Sequence, residues 1–171
     1  MLTLAELTSR FPRLGRVEQI LVRPHRKGEL HDLDAAQLLQ DGIDGDHARP
    51  GKRAVSLIQS EHLPVLRALS GHDALTAADL RRNLVISGLN LSATRGKCLQ
   101  IGAHAVLVVT GPCAPCSRME DVLGVGGYNA MRGHGGWCAQ VLRTGPLSVG
   151  DPIIVLKDAD SALARAATPS M

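Results

Sequence analysis

The residues best equipped for chemistry in this chain are the thiols of Pro112-Cys113-Ala-Pro-Cys116-Ser-Arg118, which follow an apolar run and enter a segment with helical character. Ser117 and Glu120 have the spacing of a capping box, with Ser117 as N-cap, so Cys116 is expected just outside a helix start. Unpaired N–H groups and the positive end of the helix dipole favour a thiolate there, and Arg118 adds a cation. A thiolate serves both as a soft metal ligand and as a sulfur nucleophile. Pro112 and Pro115 stiffen the approach and remove competing donors.

Spacing alone leaves several uses of this pair open. Free cysteine packs readily in cores, and packing is the expected role of Cys98 and Cys138, which fall in strand-like runs. A strand, Cys-x-x-Cys and then a helix is also the local plan of a thioredoxin-like redox site, although hairpin-like strands precede this pair. Zinc is a third use: Cys113, Cys116, His134 and Cys138 supply three sulfurs and one nitrogen.

Three further segments carry polar groups out of keeping with ordinary turns. Gly42-Ile-Asp-Gly-Asp-His47 reads as a tight turn whose histidine is followed by Arg49, Lys52 and Arg53. Arg82 and Asn83 stand at the entrance to an apolar strand, where a guanidinium fork suits a phosphate and an amide both donates and accepts. Residues 124–136 contain six glycines around Tyr128, Asn129, Arg132 and Gly133, a composition that lets backbone N–H groups approach an anion or simply forms a surface loop. No P-loop or dinucleotide fingerprint is present. A thiolate combined with cationic loops suits an anionic ligand that also takes a sulfur bond.

The elements positioning these groups are short. A chain of 171 residues is close to the prior of about 150 residues per domain, so one compact unit is expected. Apolar residues make up 44% and no apolar stretch is long enough to span a membrane. The net charge of +3 and the scarcity of aromatics, limited to Phe11, Tyr128 and Trp137, argue against a base-stacking nucleic-acid surface. Glu6 interrupts any apolar signal core at the start, and the expected location is the cytoplasm. Strand-like runs recur at 17–23, 54–58, 83–87, 98–101, 105–110, 137–143 and 147–156, with a hairpin at Gly102-Ala103. Few helices are expected: 3–11, 60–69, a turn at 76–81, and 117–123. The pattern predicts a mainly β (α+β) fold, a barrel or closed sandwich with peripheral short helices.

The succession Gly15-Arg-Val-Glu to Arg23-Pro24, Gly42 to His47, Arg53-Ala-Val-Ser-Leu-Ile58, Arg82-Asn83-Leu-Val, the cysteine motif, Tyr128-Asn-Ala-Met-Arg-Gly133 and Val149-Gly-Asp151 resembles the MOSC domain, the C-terminal domain of molybdenum cofactor sulfurases. The likeness runs over residues 15–156, leaving 1–14 as an N-terminal helix or extension and 157–171 as a tail. It implies a MOSC-type β-barrel that binds molybdenum cofactor (molybdopterin) or carries sulfur as a persulfide. The family's invariant cysteine corresponds to Cys116, a molybdenum ligand in amidoxime-reducing relatives, whereas Cys113 falls where members vary. On this resemblance Cys116 and His47 are the expected catalytic residues, with His47 orienting or moving a proton. Arg82 and Arg132 are assigned to the phosphate, Asn83 and Asn129 to pterin edges, and Arg53 and Gly133 complete the cofactor-binding set. No pyridoxal-phosphate desulfurase, iron–sulfur or flavin segment is readable in the 171 residues, and no pyridoxal phosphate is expected to bind directly. The expected partners are a sulfur donor, a cysteine desulfurase, or an electron-transfer protein, without nucleic acid or membrane. The resulting reading is a molybdenum-dependent reductase of N-hydroxylated compounds or a sulfur carrier; the alternative is a zinc-binding or thioredoxin-like module using Cys113 and Cys116.

Overall fold

The computed structural model of the chain describes residues 1–166. The order along the chain is α1 (Leu4–Thr8), β1 (Gly15–Val22), β2 (His31–Leu33), β3 (Ala35–Leu39), β4 (Gly42–Ile43), β5 (Val55–Gln59), α2 (His62–Ser70) and β6 (Leu84–Ser87). A 3₁₀ turn (Leu91–Thr94) leads to β7 (Cys98–Ile101), β8 (Ala105–Pro112), α3 (Ser117–Leu123), α4 (Gly127–Met131), β9 (Trp137–Arg143), β10 (Gly145–Ser148), β11 (Pro152–Leu156) and α5 (Ala159–Ala166). Helix α5 takes up the first part of the expected tail, and positions 167–171 lie outside the described residues.

Pairing closes seven strands into a barrel in the order β11-β7-β8-β9-β5-β6-β1, with β1 returning to β11 and β2 added beside β1. The mainly β barrel read from the sequence is the fold observed. A smaller sheet, β10-β3-β4, lies apart from the barrel sheet. The Gly102-Ala103 hairpin forms as expected, with Ile101 opposite Ala105. One crossover is present: β5 and β6 are parallel, joined through α2. Parallel neighbours start at the same end of the barrel, so the segments entering β5 and β6 come together there.

Alternation of side chains divides the core between the barrel interior and its outer faces, one of which carries a small cluster of Cys98, Val106, Leu156 and Ala162. Val55 and Leu57 of β5 and Leu84 and Ile86 of β6 fill the barrel. Ile58 and Val85, on the opposite face of the same strands, pack outside it against Leu66 of α2, Met119 and Leu123 of α3, and Met131 of α4. The helices therefore roof the outer wall of β5 and β6, which creates a crevice where that roof stops.

The start of α3 departs from the sequence reading. Cys116 itself is the N-cap, and no side chain caps the helix. The Glu120 carboxylate instead accepts from the N–H groups of Gly126 (2.7 Å) and Tyr128 (2.9 Å), which hold α4 against α3. Gly126 has φ +86, which leaves donors pointing at that carboxylate rather than into a helix. A complete capping box does occur in α1, between Thr3 and Glu6.

Candidate functional site

The crevice is a solvent-open cleft of about 290 Å³ over the outer faces of β5 and β9 and the entrance to β6. Its cationic lining comes from separate segments: Arg23 at the end of β1, His47 from the turn after β4, Arg53 before β5, Arg81 and Arg82 before β6, and Arg118 of α3. Cys113 and Cys116, from the link between β8 and α3, and Cys138 of β9 supply sulfur.

Backbone contacts explain why these residues converge. Gly42 has φ +130, and a Cβ there would lie 2.7 Å from the Ala54 carbonyl oxygen, so only glycine allows the turn to press against the entrance of β5. The turn is then pinned to β1: His47 N–H donates to the Arg23 carbonyl (2.6 Å), and Arg23 N–H donates to Asp46 Oδ1 (2.7 Å). The Thr110 hydroxyl donates to the Lys52 carbonyl (2.5 Å), which fixes the approach to Arg53. Cys113 N–H donates to the Gly136 carbonyl (2.8 Å), extending the β8–β9 ladder beyond Pro112 opposite Trp137. In that register Cys113 and Cys138 lie diagonally on one face of the ladder.

The electrostatics are one-sided. Asp46 is the sole acid among the lining residues. Among the described residues the only ion pair joins Arg16 and Glu18, so none of the cleft arginines has a carboxylate partner. Burial, together with the guanidiniums of Arg23 and Arg118, lowers the Arg81 pKa. Arg23 Nε is buried without a hydrogen-bond partner. The Cys113 thiol is lowered to about 6, chiefly because the Cys138 thiol donates to it, with Arg82 and Arg53 contributing charge. Cys138 is correspondingly raised, as the donor of that pair. The packing role expected of Cys138 is therefore incomplete: it is buried, but it lines the cleft and shares a proton with Cys113.

Of the residues singled out from the sequence, Cys116, His47, Arg53, Arg82 and Asn83 meet in this cleft, and Cys116 is exposed to it. Arg82 is only 7% exposed, and it donates through Nε to the Gly135 carbonyl (2.6 Å) and through Nη1 to the Leu80 carbonyl (2.5 Å). Asn83 is likewise committed: Oδ1 accepts from the Ser56 N–H (3.0 Å) and hydroxyl (2.9 Å), and Nδ2 donates to the Leu21 carbonyl (3.2 Å). Both side chains brace the cleft wall. Arg132 and Gly133 line a second cleft beyond Cys113, and Asn129 is exposed and lines neither. Among the described residues no group of three or more His, Cys, Asp or Glu side chains is placed to hold a metal ion, so the four-ligand zinc arrangement does not form. His134 instead packs edge-on against His62, their ring centroids 5.1 Å apart. Arg118 was marked in the sequence only as a cation beside Cys116, and Arg23 and Arg81 carried no site reading of their own, since the convergence of these segments is tertiary.

The model of the MOSC domain matches residues 42–154, from the pinned turn through β11. The chain belongs to the MOSC domain family. Its barrel is also similar to that of the YuaD protein of Bacillus subtilis, with a TM-score of 0.73 and 18% identity over 83% of this chain and 95% of that one. YiiM of Geobacillus stearothermophilus has a TM-score of 0.68 and 19% identity over 84% of this MOSC protein and 75% of that chain. YiiM of Escherichia coli has a TM-score of 0.65 and 20% identity over 91% and 80% respectively. At these identities the likeness establishes the fold. No curated protein matches the chain. No helix among the described residues is long and apolar enough to cross a membrane.

Proposed function

We propose that this MOSC domain binds molybdenum cofactor in the arginine cleft and works as the molybdenum-bearing component of a reductase acting on N-hydroxylated compounds, with electrons from a partner protein. The observation that carries this reading is the gathering of five arginines without a carboxylate partner beside an exposed cysteine. Uncompensated guanidiniums repel one another, and the buried, unpartnered Arg23 Nε leaves a donor unsatisfied. A phosphate-bearing anion relieves both costs, and a thiolate is the ligand a soft metal needs. The residues therefore fit the cofactor.

In this assignment Cys116 ligates the metal, and Arg23, Arg53, Arg81 and Arg118 hold the anionic end. Arg82 and Asn83 keep the wall in place through their backbone contacts. His47, exposed at the rim, passes a proton between the cleft and water. The cofactor, when bound, supplies two-electron redox chemistry. Cys113, its thiol lowered chiefly by the hydrogen bond from Cys138, lines the same cleft beside Arg82 and Arg53.

A second reading is favoured by the exposure of Cys116: a persulfide carried there on the way to a metal centre, received from a cysteine desulfurase. Metal, pterin and sulfur analysis of protein made in a cofactor-competent host separates the two. Stoichiometric molybdenum and pterin, lost in Cys116→Ser, supports the reductase; cyanide-labile sulfur without molybdenum supports the carrier. Molybdenum content unchanged in Cys116→Ser refutes the ligand assignment.

A further inference from the structure

The second cleft has a different chemistry from the first. It encloses about 420 Å³, shares only Cys113 with the arginine cleft, and contains Trp137 and Tyr128, two of the three aromatic side chains in the whole chain. Trp137 leans on the barrel core, while Tyr128 is 44% exposed at the start of α4. Aromatic side chains are too scarce here for their meeting in one cleft to follow from composition.

The rest of the lining is rich in glycine and proline. Gly136 has φ +92, and a Cβ on it would sit 2.1 Å from the Leu57 carbonyl oxygen, so this stretch of wall must remain bare peptide. A Cβ on Gly135 would meet the Cys113 carbonyl oxygen at 3.1 Å. Pro112 and Pro115 add stiff backbone to the same lining. Bare peptide and two aromatic rings in one lining suit a planar group, since flat rings stack best against flat surfaces.

The polar inventory chooses the charge of the occupant. Arg132 is exposed in this lining, and among the described residues its side chain has no hydrogen-bond or ion-pair partner. No acidic residue lines the cleft. The lining is therefore complementary to an anion that also carries an aromatic surface.

We propose that this second cleft is a binding site for a planar aromatic carboxylate, stacked between Trp137 and Tyr128 with its carboxylate on the Arg132 guanidinium. The occupant lies against Cys113, the residue that separates it from the arginine cleft. The site requires no cofactor, so it stands or falls independently of the molybdenum reading.

The lone tryptophan makes the test direct, because a ¹⁵N-labelled sample has one indole N–H signal, from Trp137. The probes are 2-naphthoate, its neutral amide, and the non-planar anion cyclohexanecarboxylate, added to the reduced full chain. Saturable movement of the Trp137 indole signal by 2-naphthoate is expected, with affinity lowered about tenfold in Arg132→Ala and severalfold in Tyr128→Ala, as a lost charge-assisted contact and a lost stacking partner imply. Arg132→Lys restores part of the loss, and the remaining signals report that each variant is folded. The proposal is overturned by the absence of saturable movement at millimolar probe, by equal binding of cyclohexanecarboxylate, or by affinities unchanged in both variants. Movement confined to residues of the arginine cleft overturns it as well.

Discussion

Arg82 offers the sharpest test of how the cleft is built. If it braces the wall, replacing it by Met must weaken the protein even when no ligand is near. The side chain is 7% exposed and joins two buried residues, Gly135 and Leu80, through bonds of 2.6 and 2.5 Å to their carbonyl oxygens. Met fills the volume of the stem but leaves both acceptors without a donor. An unsatisfied buried acceptor costs about 1–3 kcal/mol, so the pair amounts to about 3 kcal/mol once partial relaxation of the glycine segment is allowed. For a domain of this size that corresponds to a fall in Tm of roughly 6–12 °C. The assay is guanidinium unfolding of cofactor-free protein followed by circular dichroism, with Arg53→Met as control because Arg53 is exposed and its side chain braces no carbonyl. The expected order is a large loss for Arg82→Met, a smaller one for Arg82→Lys, and little change for Arg53→Met. An Arg82→Met variant within about 1 kcal/mol of the parent would falsify the bracing role and return Arg82 to service as a ligand for an anion.

The remaining predictions concern thiols, glycine and a carboxylate. Under reductant, thiolate absorbance of the parent should step up near pH 6, the value to which Cys113 is lowered, and the step should disappear in Cys113→Ser and move to higher pH in Cys138→Ala. Because Cys113 falls from 9.0 to about 6, the native state binds fewer protons than the unfolded chain between those values; its contribution to stability is full above pH 9 and lost as pH falls through 6. The raised Cys138 acts oppositely above pH 9, so the parent's unfolding free energy relative to Cys113→Ser should climb from pH 6 to 9 and then stop climbing. Gly136→Ala forces a side chain onto the Leu57 carbonyl at a positive φ, and expression should yield little folded protein or a loss of about 3 kcal/mol or more in unfolding experiments. Glu120 is held below the usual carboxylate range by the N–H groups of Tyr128 and Gly126, so its bracing of α4 is present above the ordinary value of 4.5 and lost as pH falls through the lowered one. Amide exchange at Gly126 and Tyr128 should quicken in Glu120→Ala at neutral pH, and unchanged protection there would remove this link between α3 and α4.

The barrel was legible because its strands alternate or run apolar between glycine-marked turns, as in Ala105 to Thr110 followed by Pro112. The presence of Cys116 and His47 in the cleft lining accords with their local marks, a cysteine before a helix and a histidine after an Asp-Gly turn. Asn83 was visible as a polar residue at a strand entrance, but its partners on β1 and β5 follow from the parallel crossover, which no local pattern specifies. The role of Cys138 could have been found by parity: Ala139 and Val141 face the barrel, so Cys138 faces the helical layer. Capping spacing was ambiguous in a way only tertiary structure resolves, since Ser117 and Glu120 match the motif as well as Thr3 and Glu6, yet Glu120 is claimed by the backbone of α4. The arginine cluster depends on loop convergence and left no periodic trace.

The closing pair of the barrel has a consequence for how the chain is made. Gly15 and Arg16 meet Ile153 and Pro152, so the wall cannot be completed until β11 has left the ribosome. During that interval the free edge of the first strand would be a template for wrong partners. Strand β2, the next strand along the chain, pairs with Ile20, Leu21 and Val22 on the edge that β11 joins at Gly15 and Arg16. That pairing persists in the finished sheet, so only a short stretch of the edge stays open until β11 arrives.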